Sequence, residues 1–179
     1  MHRIIDRIDA SELNTEADAL PPIHKWSPEI TLPSDMHIDA QGTWFHEGGE
    51  IKRLPLCQLF ASILKKEGDG YVLVTPREKF TLDVDDVPFI LVSVSRIEDT
   101  LVFRNNLNQV LHLTEANVFE LREYEGVQVP YIQVRDDLFA RVSRTCFYHL
   151  VDMAEPVESN DGTRYQVNSA GTSYELGRH

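Results

Sequence analysis

Apolar residues through the middle of the chain fall mostly in short runs bounded by turn-forming residues, the pattern of strands, and two stretches break that rhythm. In the first, residues 54–66, Leu56, Leu59, Phe60, Ile63 and Leu64 fall at i, i+3, i+4, i+7 and i+8, which is one stripe of a helix. Pro55 suits its first turn, where a missing N–H is harmless, and Lys65 and Lys66 suit a last turn at the negative end of the helix dipole. Gly68-Asp69-Gly70 ends it. In the second, roughly residues 144–154, Ser143 is the expected N-cap and Phe147, Leu150, Val151 and Ala154 form the stripe.

The strand runs are 71–74, 80–84, 89–94, 101–103, 110–113 and 118–121. Residues 36–40 and 43–46 flank Gln41-Gly42 as a hairpin, with another turn at Gly48-Gly49. Residues 129–134 and 138–142 flank Asp136-Asp137 as a second hairpin. So many sequential strands predict an antiparallel, strongly curved sheet or open barrel rather than alternating βαβ units, and the chain reads as α+β.

The two hairpin-plus-helix units resemble each other. Ile38-x-Ala40-x-Gly42-x-x-Phe45 matches Ile132-x-Val134-x-Asp136-x-x-Phe139, and Leu56, Leu59, Phe60 and Ile63 match Phe147, Leu150, Val151 and Ala154. The same register aligns Arg53 with Arg144 and Ile51 with Val142 if the first copy carries extra residues around Gly48-Gly49. A duplication explains the match, and so does the likeness that any two hairpin-plus-helix units share.

Four segments follow. Residues 1–20 read as an N-terminal arm or helix, with Ser11 as N-cap and Pro21-Pro22 as its stop. Residues 21–79 form an N-terminal α+β subdomain, entered by a proline-punctuated extended stretch to Pro33 that Trp26 pins to the body. Residues 80–156 form a C-terminal β-rich subdomain with a closing helix. Residues 157–179, rich in Ser, Asn, Gly and Thr, read as a peripheral tail in which Tyr165 and Val167 suit a short edge strand.

Charge changes the picture of what such a protein can bind. Seventeen Lys and Arg against 29 Asp and Glu give a net charge of −12, and no basic run exists, which argues against a nucleic-acid polymer as partner. A small anion is still admissible where several basic side chains converge. The longest apolar stretch, Phe89-Ile90-Leu91-Val92, is far short of the ~20 residues that span a bilayer, and the charged start lacks the apolar core of an export signal. The expectation is a soluble cytoplasmic protein with no membrane partner. Cys57 and Cys146 lie inside apolar periodic segments with no Cys-x-x-Cys spacing, so both read as core thiols.

Motifs for the common chemistries are missing: no Gly-x-Ser-x-Gly, no phosphate-binding glycine loop and no His-Glu-x-x-His. His37 and His46 would face each other across the first hairpin with Glu47 nearby, a conceivable metal pair, although opposed hairpin histidines are usually surface residues. No catalytic residue, metal ligand or cofactor is assigned. The positive candidates are basic: the Thr75-Pro76-Arg77-Glu78-Lys79 turn, Arg53 and Arg144 beside helix N-termini, Arg135 at a hairpin turn, and Arg141. Singly, each is more often a solvated surface charge. Trp44 suits either the core or a wall on which a planar ligand stacks.

Gly42-Thr43-Trp44-Phe45-x-x-Gly48, Ile51-x-Arg53-x-x-Leu56-x-x-Leu59-Phe60 and Leu73-Val74-Thr75-Pro76-x-Glu78-Lys79 resemble the bacterial domain of unknown function family 1285. Pro21-Pro22-x-x-Lys25-Trp26, Asp86-x-Pro88-Phe89 and Pro130-Tyr131-x-x-Val134-Arg135 extend the likeness over about residues 21–154. This chain has Gly49-Glu50-Ile51 where the family tends to have Pro-Ile after the second glycine. The resemblance implies a two-part α+β fold with internal duplication, the second part superficially similar to a pleckstrin-homology-like barrel. It also implies a nucleotide-like ligand between the two parts and a role in signal transduction.

The expectation is therefore a binding protein rather than an enzyme. A small anionic, nucleotide-like ligand would meet Arg53, Thr75, Glu78, Lys79 and Arg135, with Trp44 as a flat wall. An adaptor that docks a protein partner without a small molecule, and an enzyme with a dispersed site, are the alternatives.

Overall fold

The computed structural model describes Ile4, Ile8 and residues 19–178. The N-terminal helix capped by Ser11 lies outside the described residues. Two compact units meet in sequence at Asp86 and Val87, later than the expected boundary after residue 79, because the strand that begins at Glu78 pairs wholly within the first unit.

The first unit follows a 3-10 turn, Ile23–Lys25, with β1 (Ile30–Ile38), β2 (Trp44–His46), β3 (Gly49–Glu50), α1 (Leu54–Ser62), β4 (Leu64–Glu67), β5 (Gly70–Val74) and β6 (Glu78–Val84). Its six strands are ordered β3-β2-β1-β6-β5-β4, and β1 runs parallel to β6. Strand β1 starts inside the expected lead-in and carries Pro33 up to an irregularity at Ser34-Asp35, where Asp35 takes φ +54°. There the Ser34 hydroxyl donates to Thr81 O at 2.6 Å and accepts from Met36 N at 3.0 Å, so a side chain makes the bonds the interrupted ladder omits.

Helix α1 stops at Ser62, short of the expected stripe. Leu64 and the two lysines expected in its last turn form β4 instead, paired with β5 across Gly68, whose φ is +58°. Ile63 and Leu64 are still fully buried, so the apolar residues are core residues that reach the core from a cap and a strand. Cys57, Phe60 and Ala61 are the buried face of the helix proper.

The second unit contains β7 (Phe89–Ile97), β8 (Thr100–Asn105), β9 (Val110–His112), β10 (Phe119–Tyr124), β11 (Val127–Arg135), β12 (Leu138–Val142), α2 (Arg144–Asp152), β13 (Glu155–Ser159), β14 (Gly162–Ser169) and β15 (Thr172–Arg178). The larger sheet is ordered β10-β11-β12-β7-β8-β9 and is mixed rather than purely antiparallel, since β12 lands parallel to β7. It ends at β9 and β10, so it is not a closed barrel. Ser143 caps α2 as expected, accepting from Cys146 N at 3.2 Å. The buried stripe is rotated from the expected one: Cys146 and Leu150 are covered, while Val151 is 42% exposed.

The segment read as a peripheral tail is a three-stranded antiparallel sheet, β13-β14-β15. Val167, Ser169, Tyr174 and Leu176 are buried in it, a spaced apolar set that a polar composition conceals. Among the described residues the fold is mostly β with two α-helices, within the α+β class. In both units a hairpin is followed by a helix of equal length and then by an antiparallel three-stranded meander. The helix bounds align Arg53 with Ser143, the residue before each helix, rather than Arg53 with Arg144.

Candidate functional site

Strand pairing separates the residues expected to share a site in the first unit. Trp44 stands opposite Ile38, which pairs with Val84 at one end of β6; Glu78 occupies the other end, about 20 Å away at the rise of an extended strand. Trp44 is 1% exposed and stacks on Phe60 of α1 with ring centroids 6.0 Å apart, so it is a core side chain. Its indole Nε1 has no hydrogen-bond partner among the described residues. Arg53 is exposed at the start of α1, beside a concavity of about 360 Å³ that Lys52, His46 and Glu50 also line.

At the far end, Thr75, Glu78 and Lys79 hold the β5–β6 turn together. Thr75 N and Oγ1 both donate to Glu78 O, at 2.9 and 2.8 Å, and Glu78 N returns a bond to Oγ1 at 3.1 Å. Lys79 Nζ lies 2.6 Å from Glu67 Oε2. That hydrogen bond holds the Glu67 carboxyl below its ordinary range.

The proposed histidine pair is undone by register. Met36 faces His46 and Phe45 faces His37, so the two imidazoles leave opposite faces of the hairpin. His37 Nε2 instead meets Asp85 Oδ1 at 2.7 Å and its ring stacks on Phe45. No cluster of His, Cys, Asp and Glu suited to a metal occurs among the described residues. A concavity of about 640 Å³ opens beside the β1 irregularity, but Asp35, Glu47 and Asp83 line it with His37, a poor setting for an anion.

Arg135 belongs to the second unit. A register shift between Gln133 and Arg135 sets it opposite Leu138, and its guanidinium carbon lies 5.9 Å from the Phe89 ring. Burial there pushes its pKa down, the direction expected when a cation loses water.

The opposite face of the same sheet carries a group of residues that sequence reasoning did not assemble. Tyr131 pairs with both Glu120 and Arg141, so Glu120, Arg122 and Tyr124 of β10, Tyr131 of β11, and Phe139 and Arg141 of β12 share one face. From β10, Arg122 reaches across β11, its guanidinium carbon 4.7 Å from the Tyr131 centroid and 4.4 Å from that of Phe139. From β12, Arg141 reaches back the other way to within 3.7 Å of the Tyr124 centroid. Two arginines thus cross β11 in opposite senses, each with its guanidinium over aromatic rings. Arg141 is 6% exposed, whereas Arg122 keeps 39% of its side chain in contact with solvent.

Alternation alone would have put Arg122 on the face of Tyr124, but only the pairing of β10 with β11 and β12 brings it to Tyr131 and Phe139. Neither cysteine offers a nucleophile: both are buried, and burial raises Cys57 and pushes the Cys146 thiol up to about 12. Among the described residues no helix is long and apolar enough to cross a membrane.

Comparison with known proteins gives a consistent result along the chain. Residues 21–87 match the domain of unknown function (DUF1285), N-terminal domain, and residues 88–176 match the protein of unknown function (DUF1285), C-terminal domain. A DUF1285 family protein from Silicibacter pomeroyi DSS-3 has a similar solved structure, with a TM-score of 0.81 and 34% identity over 94% of this chain and 93% of that one. Another, from Shewanella baltica OS155, gives a TM-score of 0.55 and 25% identity over 65% of this chain and 90% of that one. No curated protein matches the sequence.

Proposed function

The chain belongs to the DUF1285 family, and from that premise we propose that it is a cytoplasmic ligand-binding module of signal transduction, taking a small anionic, nucleotide-like molecule, rather than an enzyme. The observation that carries this reading is the arginine–aromatic face of β10, β11 and β12. A guanidinium held against two aromatic rings and still partly in solvent has given up much of its rotamer freedom and keeps a planar set of N–H donors, the preorganisation that phosphate recognition needs. The same plane offers a base a stacking surface. Against a background of −12, such local convergence of cations is what lets an anion approach at all.

The helix-terminal and turn residues contribute less to this reading. Lys79 is engaged with Glu67, and Thr75 closes its own turn. Of the six residues expected at the site, only Arg135 belongs to the same sheet as the arginine–aromatic face, and it stands on the sheet's other side.

We infer further that the units descend from a duplication, because the shared order extends past hairpin and helix to the meander that follows. The extra strands β7 to β10 then give the second unit its own open sheet, which would serve as a platform of the kind pleckstrin-homology-like modules use.

Titration with a panel of nucleoside mono-, di- and cyclic phosphates, followed by thermal shift and calorimetry, tests the reading. Ligand at a hundredfold excess over Kd should stabilise the protein by about 2.7 kcal/mol. Arg122→Gln should remove the shift while leaving the ligand-free unfolding temperature nearly unchanged. A folded sample that responds to no member of the panel overturns the proposal.

A further inference from the structure

The edge of Arg122 that faces Glu120 is already filled. Arg122 Nε donates to Glu120 Oε1 at 2.6 Å, and Nη2 converges on that same oxygen. Both donors of the edge that grips oxyanions side-on are therefore spent on one carboxylate oxygen. Glu120 is two residues away on the same strand and face, so strand geometry keeps its carboxylate beside the guanidinium with no loop closure required. It is 43% exposed and free to swing into solvent, whereas Arg122 is held by Tyr131 and Phe139.

We propose that Glu120 is a resident competitor for the anion seat: an incoming phosphate displaces its carboxylate from Arg122 and replaces one shared oxygen with two. This rests on the ligand-binding reading above and specifies what the ligand must provide. A fork of two donors is matched by two acceptor oxygens, and a single shared oxygen leaves both bonds bent. A terminal phosphate presents that pair of oxygens. A neutral nucleoside cannot, and it has no charge with which to offset the loss of the Glu120 pair. The exchange also explains how the seat stays occupied in an acidic protein without ligand, since a solvent-exposed pair is weak enough to be broken by a better-matched anion. Glu120 thereby sets a threshold: weak monodentate anions leave the pair closed, and phosphoryl ligands open it.

The test uses the whole chain and AMP, with adenosine as the uncharged control. Glu120→Gln keeps length and shape and removes both the competing charge and its repulsion of phosphate, so AMP affinity should rise about tenfold, with adenosine unaffected. Arg122→Lys, which keeps the charge but loses the planar fork, should lose most AMP binding in either background. If wild type and Glu120→Gln bind AMP equally, Glu120 is no competitor, although the ligand-binding reading stands. If Arg122→Lys binds as wild type does, the seat is not at Arg122 and this proposal falls. If no variant binds while circular dichroism shows all of them folded, the ligand-binding reading fails and takes the competitor with it.

Discussion

Each unit follows its helix with an antiparallel three-stranded meander, but the two meanders are held by different means. In the first unit β6 zips in parallel along β1 from Ile30 opposite Glu78 to Ile38 opposite Val84, so hairpin and meander become one continuous sheet. In the second, β11 has β12 on one side and β10 on the other, so no edge of that hairpin strand is left for β15. The meander β13-β14-β15 forms its own sheet and is joined to the rest of its unit chiefly through side chains. Ser169, fully buried, accepts from Leu101 N at 2.8 Å and donates to Leu113 O at 2.7 Å. Ala170 N bonds Asp99 O at 2.9 Å, and the Tyr174 ring meets Phe119 at 5.0 Å. The same order of elements thus yields one sheet or two, according to which strand occupies the place beside the hairpin.

The largest expected effect breaks the second arrangement. Ser169→Ala strips Leu101 N and Leu113 O of their shared partner in a site with no solvent access, and should destabilise the second unit by about 2–4 kcal/mol in urea unfolding. Each helix carries one buried cysteine, Cys57 in α1 and Cys146 in α2, so thiol labelling reads the units separately. In this variant Cys146 should label faster while Cys57 does not; equal acceleration of both would show that Ser169 is not a local fastener.

Ser34 performs a comparable service in the first unit, but a ladder continues on both sides of it. Ser34→Ala should therefore cost less, about 1–2 kcal/mol, and should speed labelling of Cys57 alone. A loss as large as that of Ser169→Ala would mean that the parallel ladder contributes little and that the contrast between the units is wrong.

The smallest effect sharpens the comparison through pH. Because Lys79 holds the Glu67 carboxyl below its ordinary value, the pair stabilises the folded state above the ordinary glutamate pKa, about 4.3, and that stability disappears as pH falls through the lower folded value. Lys79→Met should lower stability at neutral pH by about 0.5 kcal/mol or less and flatten the acid limb of the first unit's unfolding curve. An acid limb unchanged by the substitution would remove the pair from the account.

Local pattern was legible wherever the burial of a segment follows from its own periodicity. The strand runs from Tyr71 to Leu121, the second hairpin and the Ser143 cap all appear where alternation and capping chemistry put them. The end of α1 is not legible locally because Ile63 and Leu64 satisfy a helical stripe and a buried strand equally well, and only the pairing of β4 with β5 separates the two. The last meander was hidden because its buried residues are few and sit among Ser, Asn, Thr and Gly. The candidate site suffered most: Trp44 on β2 stands level with the Val84 end of β6 while Lys79 lies near its other end, and Arg122 carried no signal of its own.

The amino-acid sequence by itself determined the family, the α+β class, the acidic charge, the two helix positions and most of the strands, since each depends on composition or on neighbours a few residues away. Tertiary structure alone decided which strands lie side by side, and with that which side chains share a face. Strand pairing joins residues far apart along the chain, and a shift of one residue in register sends every side chain to the other face, so His37 and His46 part while Arg122 and Phe139 meet.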